Sequence, residues 1–278
     1  MRKIAAAKIS EVVAKLCIEA NIILRHDVLL ALKNARSKES NKRARMILDA
    51  IIDNAAVARR KKLAICQDTG LPVIFIEIGQ GVLITGDLHR AVNKGVESGY
   101  KKAFLRNSII ADPILRGASG YQPAVIHTDI VKGNRIKITV LPKGFGCENK
   151  SALKMFNPTV NIDQVQRFIV ETVKAAGPDA CPPYVVGVGI GGSADLACLL
   201  AKKALLRSLG SGSARSTITK LERDLLDKIN KMKIGPMGLG GKTTCLGVHV
   251  QTHPTHIAGL PVAVNISCHA LRSASEVI

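Results

Sequence analysis

Tryptophan is absent from this chain of 278 residues, and Trp, Tyr and Phe together make up only 3% of it. So few aromatic rings leave little stacking surface for unpaired bases, which counts against a single-strand-binding protein. No uncharged apolar stretch approaches the roughly 18 residues of a membrane span. The N-terminal run MRKIAAAKISEVVAKL is interrupted by Lys8, Glu11 and Lys15 before a signal-peptide core forms. The expectation is a cytoplasmic protein without a membrane anchor. None of the seven cysteines, at 17, 66, 147, 181, 198, 245 and 268, stands in a CxxC pair. Spacing alone therefore supports neither a zinc ribbon nor a ferredoxin-type cluster. In an intracellular chain such cysteines are read as buried thiols, metal ligands or nucleophiles rather than disulfides, and any metal site must be assembled from distant segments.

Acidic residues are scarce as well: 21 Asp or Glu stand against 40 Lys or Arg, for a formal charge of +19. Such a surplus is the footprint of phosphate binding, but no recognised nucleic-acid motif accompanies it. Up to residue 62 there are 15 Lys or Arg against 6 Asp or Glu, so the early helices carry much of the excess. A solvated basic face, contact with an acidic partner chain, or steering of anionic substrates each accounts for it.

With 47% hydrophobic residues the chain buries a sizeable core. Helical periodicity with charged faces covers 4–22 and about 26–60, apart from a polar break near Ser37 to Asn41. Strands are expected at Pro72 to Ile78 and Val82 to Thr85, then a helix from Asp87 to Leu105. Alternating apolar residues at Ala124 to Val131 and Arg135 to Leu141, flanking Lys132-Gly133-Asn134, predict a hairpin. A helix near Asp163 to Ala176, a strand at Tyr184 to Ile190 and a helix from Ser193 follow. A Gly/Ser-rich loop at Ser208 to Ser216 precedes a charged helix at Thr219 to Met232, and strands are expected at Cys245 to Gln251 and Val262 to Ile266. No internal repeat is visible. The fold class is mixed α/β (α+β), as one domain over 1–278.

Three segments offer themselves as sites. Gly187-Val188-Gly189-Ile190-Gly191-Gly192 follows a strand and opens a helix with GxGxxG spacing, but no acidic residue for a ribose appears about 20 residues on. Gly238 to Thr244, GLGGKTT, resembles the end of a P-loop, yet the first glycine's place holds Pro236 and a charged helix precedes it. Either turn would suit a small anion, and a plain connection accounts for the second equally well. Cys66-Gln67-Asp68-Thr69-Gly70 puts a thiol, an amide and a carboxylate in one loop, where capping and turn formation compete with a functional role.

The phrases AICQDTG (64–70), KGFGCENKS (143–151), DACPPYVVGVGIGG (179–192), GLGGKTT (238–244) and HPTHIAGLPVAVNISCHALR (253–272) occur in one order. Together they closely resemble the N-terminal catalytic region of class I fumarate hydratases and the alpha subunits of L-tartrate dehydratases, from about residue 10 onward. The resemblance implies a hydro-lyase acting on a small dicarboxylate, fumarate and L-malate first and L-tartrate next. It also implies a [4Fe–4S] cluster held by Cys66, Cys181 and Cys268, with one iron lacking a protein ligand. An iron without a protein ligand can act as a Lewis acid on a substrate hydroxyl, whereas a cluster with four thiolates suits electron transfer.

By the same resemblance Gln67, the backbone amide of Asp68, Arg106 and Gly146 contact the substrate, a bidentate guanidinium being well shaped for a carboxylate. Asp68 and His256 are the candidate catalytic groups. Cys147 stands in a loop where the family often has a small residue and is not counted as a ligand; Cys17, Cys198 and Cys245 are expected to pack as small apolar side chains. In one-chain members a second domain follows. This chain ends about ten residues after Cys268, so a separate beta subunit is expected, in a dimer of alpha–beta pairs, with no nucleic acid and no membrane partner. Phe145 and Cys147 depart from the family's small-residue loop and bear on substrate choice. A nucleotide-dependent oxidoreductase built on the 187–192 glycines, or a basic nucleic-acid-binding protein, is the alternative.

Overall fold

In the computed structural model, which describes residues 1–278, the elements in chain order are β1 (Arg2–Ala5), α1 (Ala6–Ile22), α2 (His26–Lys38), α3 (Lys42–Lys61), β2 (Leu71–Gly79), β3 (Val82–Thr85), α4 (Leu88–Lys102), β4 (Ile109–Asp112), β5 (Arg116–Gly120), β6 (Val125–Val131), β7 (Ile136–Lys143), α5 (Phe145–Glu148), β8 (Ala152–Phe156), α6 (Ile162–Ala176), β9 (Tyr184–Gly192), α7 (Ala194–Ala204), α8 (Ser216–Asn230), β10 (Cys245–Thr255), β11 (Leu260–Ser267) and β12 (Ala274–Val277). This is the mixed α/β (α+β) class read from the sequence. No helix is long and apolar enough to cross a membrane.

Local chemistry sets the helix ends. The polar break falls where Glu39 accepts the N–H groups of Ser40 and Asn41 and the Asn41 side chain takes those of Arg43 and Ala44 at the start of α3. Asp87 caps α4 through the Arg90 N–H at 2.9 Å. Asn161 and Gln164 form a capping box on α6.

The chain divides into two compact units, residues 1–25, 54–145 and 272–278 in the first, and 26–53 and 146–271 in the second. The core of unit 1 joins α1 (Ile9, Val13, Leu16) and α4 (Val92, Val96, Tyr100) to Ile74, Ile76, Ile136 and Ile138 of a four-stranded sheet ordered β12-β7-β2-β6. The expected hairpin does not form. Strands lie at the two places predicted, but β2 sits between them, parallel to β6 and antiparallel to β7. β2 is nearly all buried and β6 largely exposed, so the more apolar strand takes the middle. The turn after β2 is held in the β6–β7 connection, where Gly79, Gln80 and Gly81 donate to the carbonyls of Arg135, Val131 and Gly133.

Unit 2 holds the sheet β10-β9-β11-β8, with α6 and α8 contributing Val165, Ile169, Val173, Leu221, Leu225 and Ile229 to its core. Its central strand β9 is parallel to β10 and antiparallel to β11, and the outermost strand, β8, is antiparallel to β11. Unit 1 has the same order of senses, since β12 is antiparallel to β7. The three-strand cores β6-β2-β7 and β10-β9-β11 therefore share a connectivity that the sequence does not reveal, whereas the outermost strand comes last in unit 1 and first in unit 2. The short strands β1, β4, β5, β8 and β12 also went unpredicted.

Candidate active site

In unit 1 the segment Cys66 to Gly70 leads into the central strand β2. Its entry is fixed by Ile65, whose N–H donates to the Asn21 carbonyl at 2.9 Å and whose carbonyl accepts from the Asn54 side chain at 2.8 Å. Beyond that the loop is held by its carbonyls. The Tyr100 hydroxyl, on buried α4, donates to the Thr69 carbonyl at 2.9 Å and lies 3.2 Å from that of Gly70, and Arg272 donates to the carbonyl of Asp68. Burial pushes the Tyr100 hydroxyl well above the usual phenol range, so it stays a neutral donor. Gly70 adopts a left-handed φ of 78°, and an added Cβ would stand 2.7 Å from the backbone of Pro142, so no other residue fits this turn.

With the backbone held, the side chains are presented. Gln67 is exposed; Cys66 and Asp68 are half-buried. The Asp68 carboxylate accepts from the Gly70 N–H at 3.0 Å and, through its other oxygen, from the Phe145 N–H at 2.8 Å. The Thr69 hydroxyl donates to the Arg106 carbonyl at 3.3 Å and accepts from its N–H at 3.1 Å. Three of the predicted residues, Gln67, Asp68 and Arg106, are therefore neighbours in unit 1, with the guanidinium end of Arg106 on an exposed residue.

Unit 2 carries Gly146, Cys181, His256 and Cys268. Cys181 precedes the central strand β9 as Cys66 precedes β2, and it takes a left-handed φ of 56°, rare for a side-chain-bearing residue. Cys268 follows β11 directly, and the Ala270 N–H donates to its sulfur at 3.4 Å. The two cysteine segments are tied by His269: its Nδ1–H donates to the Cys181 carbonyl at 3.0 Å, and its backbone N–H reaches the same oxygen. His256 stands at the exposed connection between β10 and β11, where its Nδ1 accepts from the Ala258 N–H at 3.1 Å. The neutral ring therefore carries its proton on Nε2, a donor facing outward. Gly146 is exposed, and a Cβ built on it would meet no atom within 4 Å.

The seven cysteines sort by environment, and none is in a disulfide. Cys17 and Cys245 pack as expected, and burial pushes their thiols up, Cys245 to about 12. Cys147 is buried with its Sγ 3.3 Å from the Ala180 carbonyl. The expectation fails for Cys198, which is exposed on α7 because it lies between the positions of Ala197 and Ala201 that face β9. Cys66, Cys181 and Cys268 are the three of intermediate exposure. A cluster ligand needs a reachable sulfur, which each of the three has by its exposure, and the N–H donation to the Cys268 sulfur is of the kind that stabilises a thiolate. No three His, Cys, Asp or Glu side chains gather tightly enough for a single ion, a geometry a four-iron cluster does not require, since each cysteine binds a different iron.

The two glycine segments are explained by packing. The 187–192 run lies within β9 rather than after it. A Cβ on Gly187 would stand 2.1 Å from the Ala201 carbonyl oxygen, and one on Gly189 2.0 Å from that of Ala197, so these glycines let α7 lie on the strand. In GLGGKTT the anion is the chain's own: the buried Glu39 carboxylate accepts the Lys242 N–H at 2.6 Å, and the Lys242 ammonium donates to the Lys38 carbonyl at 3.2 Å.

The sequence reading missed Thr69, Tyr100, Arg272, His269 and Glu39. Their partners lie 31 to 204 positions away for Tyr100, Thr69, Arg272 and Glu39, beyond the reach of any local pattern.

A family model described as fumarate hydratase (fumerase) matches residues 10–277. A Methanocaldococcus jannaschii chain assigned as an L(+)-tartrate dehydratase alpha subunit is 41% identical over 275 residues, covering 96% of each chain. The L(+)-tartrate dehydratase alpha subunit of Escherichia coli UTI89 is 31% identical over 272 residues, covering 96% of this chain and 90% of its own. That of Shigella sonnei is 30% identical over the same length.

Proposed function

Because the chain belongs to the fumarate hydratase (fumerase) family, we propose that it is the alpha subunit of a two-subunit hydro-lyase that uses a [4Fe–4S] cluster on a small dicarboxylate. The observation that carries this reading is the CQDTG loop of unit 1: its carbonyls are tied into the core, a half-buried thiol and an exposed amide stand next to each other on it, and the backbone of the exposed Arg106 is bonded to its Thr69. Fumarate with L-malate, and L-tartrate, are the substrates to assay, the family being described by the first and the relatives named for the last. The relatives' designation as alpha subunits supports a separate beta subunit, in a dimer of alpha–beta pairs.

Cys66, Cys181 and Cys268 would hold the cluster, which when bound supplies a Lewis-acidic iron that makes the substrate hydroxyl a better leaving group. The rest falls to the chain's own groups. Arg106 pairs with one substrate carboxylate through two parallel N–H donors, and Gln67 with the backbone N–H groups of Asp68 and Gly146 orients the dicarboxylate. His256 donates from Nε2. Asp68, with one backbone donor on each carboxylate oxygen, keeps lone pairs with which to hold a proton, and those bonds fix where that proton lies.

Anaerobic reconstitution with iron and sulfide tests the reading, with Cys66, Cys181 and Cys268 each changed to Ala. The expected result is about four irons per wild-type chain, lost in each variant, and turnover of fumarate or L-tartrate once a beta subunit is co-produced. A wild-type chain that takes up no cluster, or a cluster indifferent to all three changes, sinks the reading.

A further inference from the structure

Arg272 has no place in the roles above. It opens the last segment of unit 1, and only 3% of it is exposed. Its Nη2 donates to the Asp68 carbonyl, whereas its Nε, also shut off from water, has no hydrogen-bond partner. A guanidinium has five donors and is among the costliest groups to bury, so one sequestered here and joined to a main-chain oxygen calls for a reason beyond packing.

The reason lies in the loop. The carbonyls of Asp68 and Thr69 are each held by a buried side chain, the first by Arg272 and the second by the hydroxyl proton of Tyr100. Fixing two successive carbonyls fixes two peptide planes, because each peptide unit is rigid. Those planes place the Gly70 N–H on the Asp68 carboxylate and fix the backbone that leaves the Asp68 Cα. Tyr100 supplies a neutral donor; Arg272 supplies a permanent charge, so its bond to the carbonyl is the stronger kind.

We propose that Arg272 is a positioning residue, which locks the Asp68–Thr69 peptide from within the core so that the Asp68 carboxylate meets the dicarboxylate in one fixed orientation. The identity of that ligand rests on the hydro-lyase reading; the lock itself does not.

Amide hydrogen exchange on the full-length chain tests it, comparing wild type with Arg272→Gln, Arg272→Lys and Tyr100→Phe. The reporters are the N–H groups of Gly70 and Phe145, both bonded to Asp68, against those of Phe75 and Ile76 within β2. In Arg272→Gln the two reporters should exchange about tenfold or more faster with the β2 amides unchanged, and Arg272→Lys, which keeps a charged donor, should recover much of that protection. In the cluster-loaded protein with its partner, Arg272→Gln should keep its iron and raise KM for the dicarboxylate more than it lowers kcat. Wild-type exchange at Gly70 and Phe145 in Arg272→Gln, or equal loss of protection in β2, overturns the proposal. Should that variant not fold, Tyr100→Phe decides: it should loosen the same two amides, and an unchanged loop refutes a lock made by carbonyls. A wild-type holoprotein inert toward both fumarate and L-tartrate sinks the functional reading and leaves the exchange result to stand or fall separately.

Discussion

Asp68 and His256 each have part of their hydrogen-bonding capacity taken by the main chain, Asp68 by the N–H groups of Gly70 and Phe145 and His256 by that of Ala258. What is left to each is directional: lone pairs on a carboxylate that cannot rotate freely, and one outward N–H on a ring whose tautomer is set. The motif phrases made these residues legible as candidates through the family they resemble; the composition of the 66–70 loop alone left capping and turn formation open for Asp68, and nothing local marked His256. They could not reveal the orientation, which for Asp68 depends on a residue 77 positions away. Gly146 gives a sharp test at this scale. A Cβ there meets nothing in the chain, and in the short helix α5 alanine is favoured over glycine by roughly 0.5–1 kcal/mol. Gly146→Ala should leave the thermal midpoint unchanged or slightly raised. If the Gly146 N–H faces the substrate, kcat/KM should nonetheless fall about tenfold or more, since a small misplacement at a reacting site is expensive. Unchanged turnover in that variant would remove Gly146 from the site.

At the scale of elements, periodicity located the long helices and most strands, because burial of one face imposes it. Partners were another matter: alternating residues at 125–131 and 136–143 say that each segment is a strand, not that they pair, and the more buried β2 came between them. The β10–β11 connection behaves likewise around β9. Each central strand is preceded by a loop bearing a proposed cluster cysteine, Cys66 before β2 and Cys181 before β9, so the shared three-strand connectivity puts these proposed ligands at comparable points of two unlike sequences. The glycines of β9 show how a motif can mislead. Their spacing matches a dinucleotide fingerprint, yet Gly187 and Gly189 face the carbonyls of α7 at distances no Cβ tolerates. Gly189→Ala should destabilise the fold by about 1–3 kcal/mol or more, through overpacking, read as a lower urea midpoint. Were the run a nucleotide site, the same change would leave the midpoint intact and abolish binding of NAD instead.

Neither unit is a continuous stretch of chain, and the boundary between residues 53 and 54 falls inside α3. Helix formation is cooperative along its length, so melting one unit alone would have to interrupt that helix. We therefore expect the single domain read from the sequence to unfold in one transition. Its dependence on pH follows from groups that burial holds neutral: the thiols of Cys17 and Cys245 and the hydroxyls of Tyr100 and Tyr184 are all raised, chiefly by desolvation. In the unfolded chain these groups lose their protons near their ordinary values, about 8.5 for cysteine and about 10 for tyrosine. Below those values both states are protonated and the stability is fully present. Above them only the unfolded state releases protons, so stability falls as pH rises toward the folded values, by up to about 1.4 kcal/mol per pH unit for each group. Thermal melts of the chain between about pH 7 and pH 11 should show one transition whose midpoint is flat at first and drops beyond about pH 9. Two transitions would divide the domain, and a midpoint unmoved to pH 11 would mean that these four side chains reach water in the folded state.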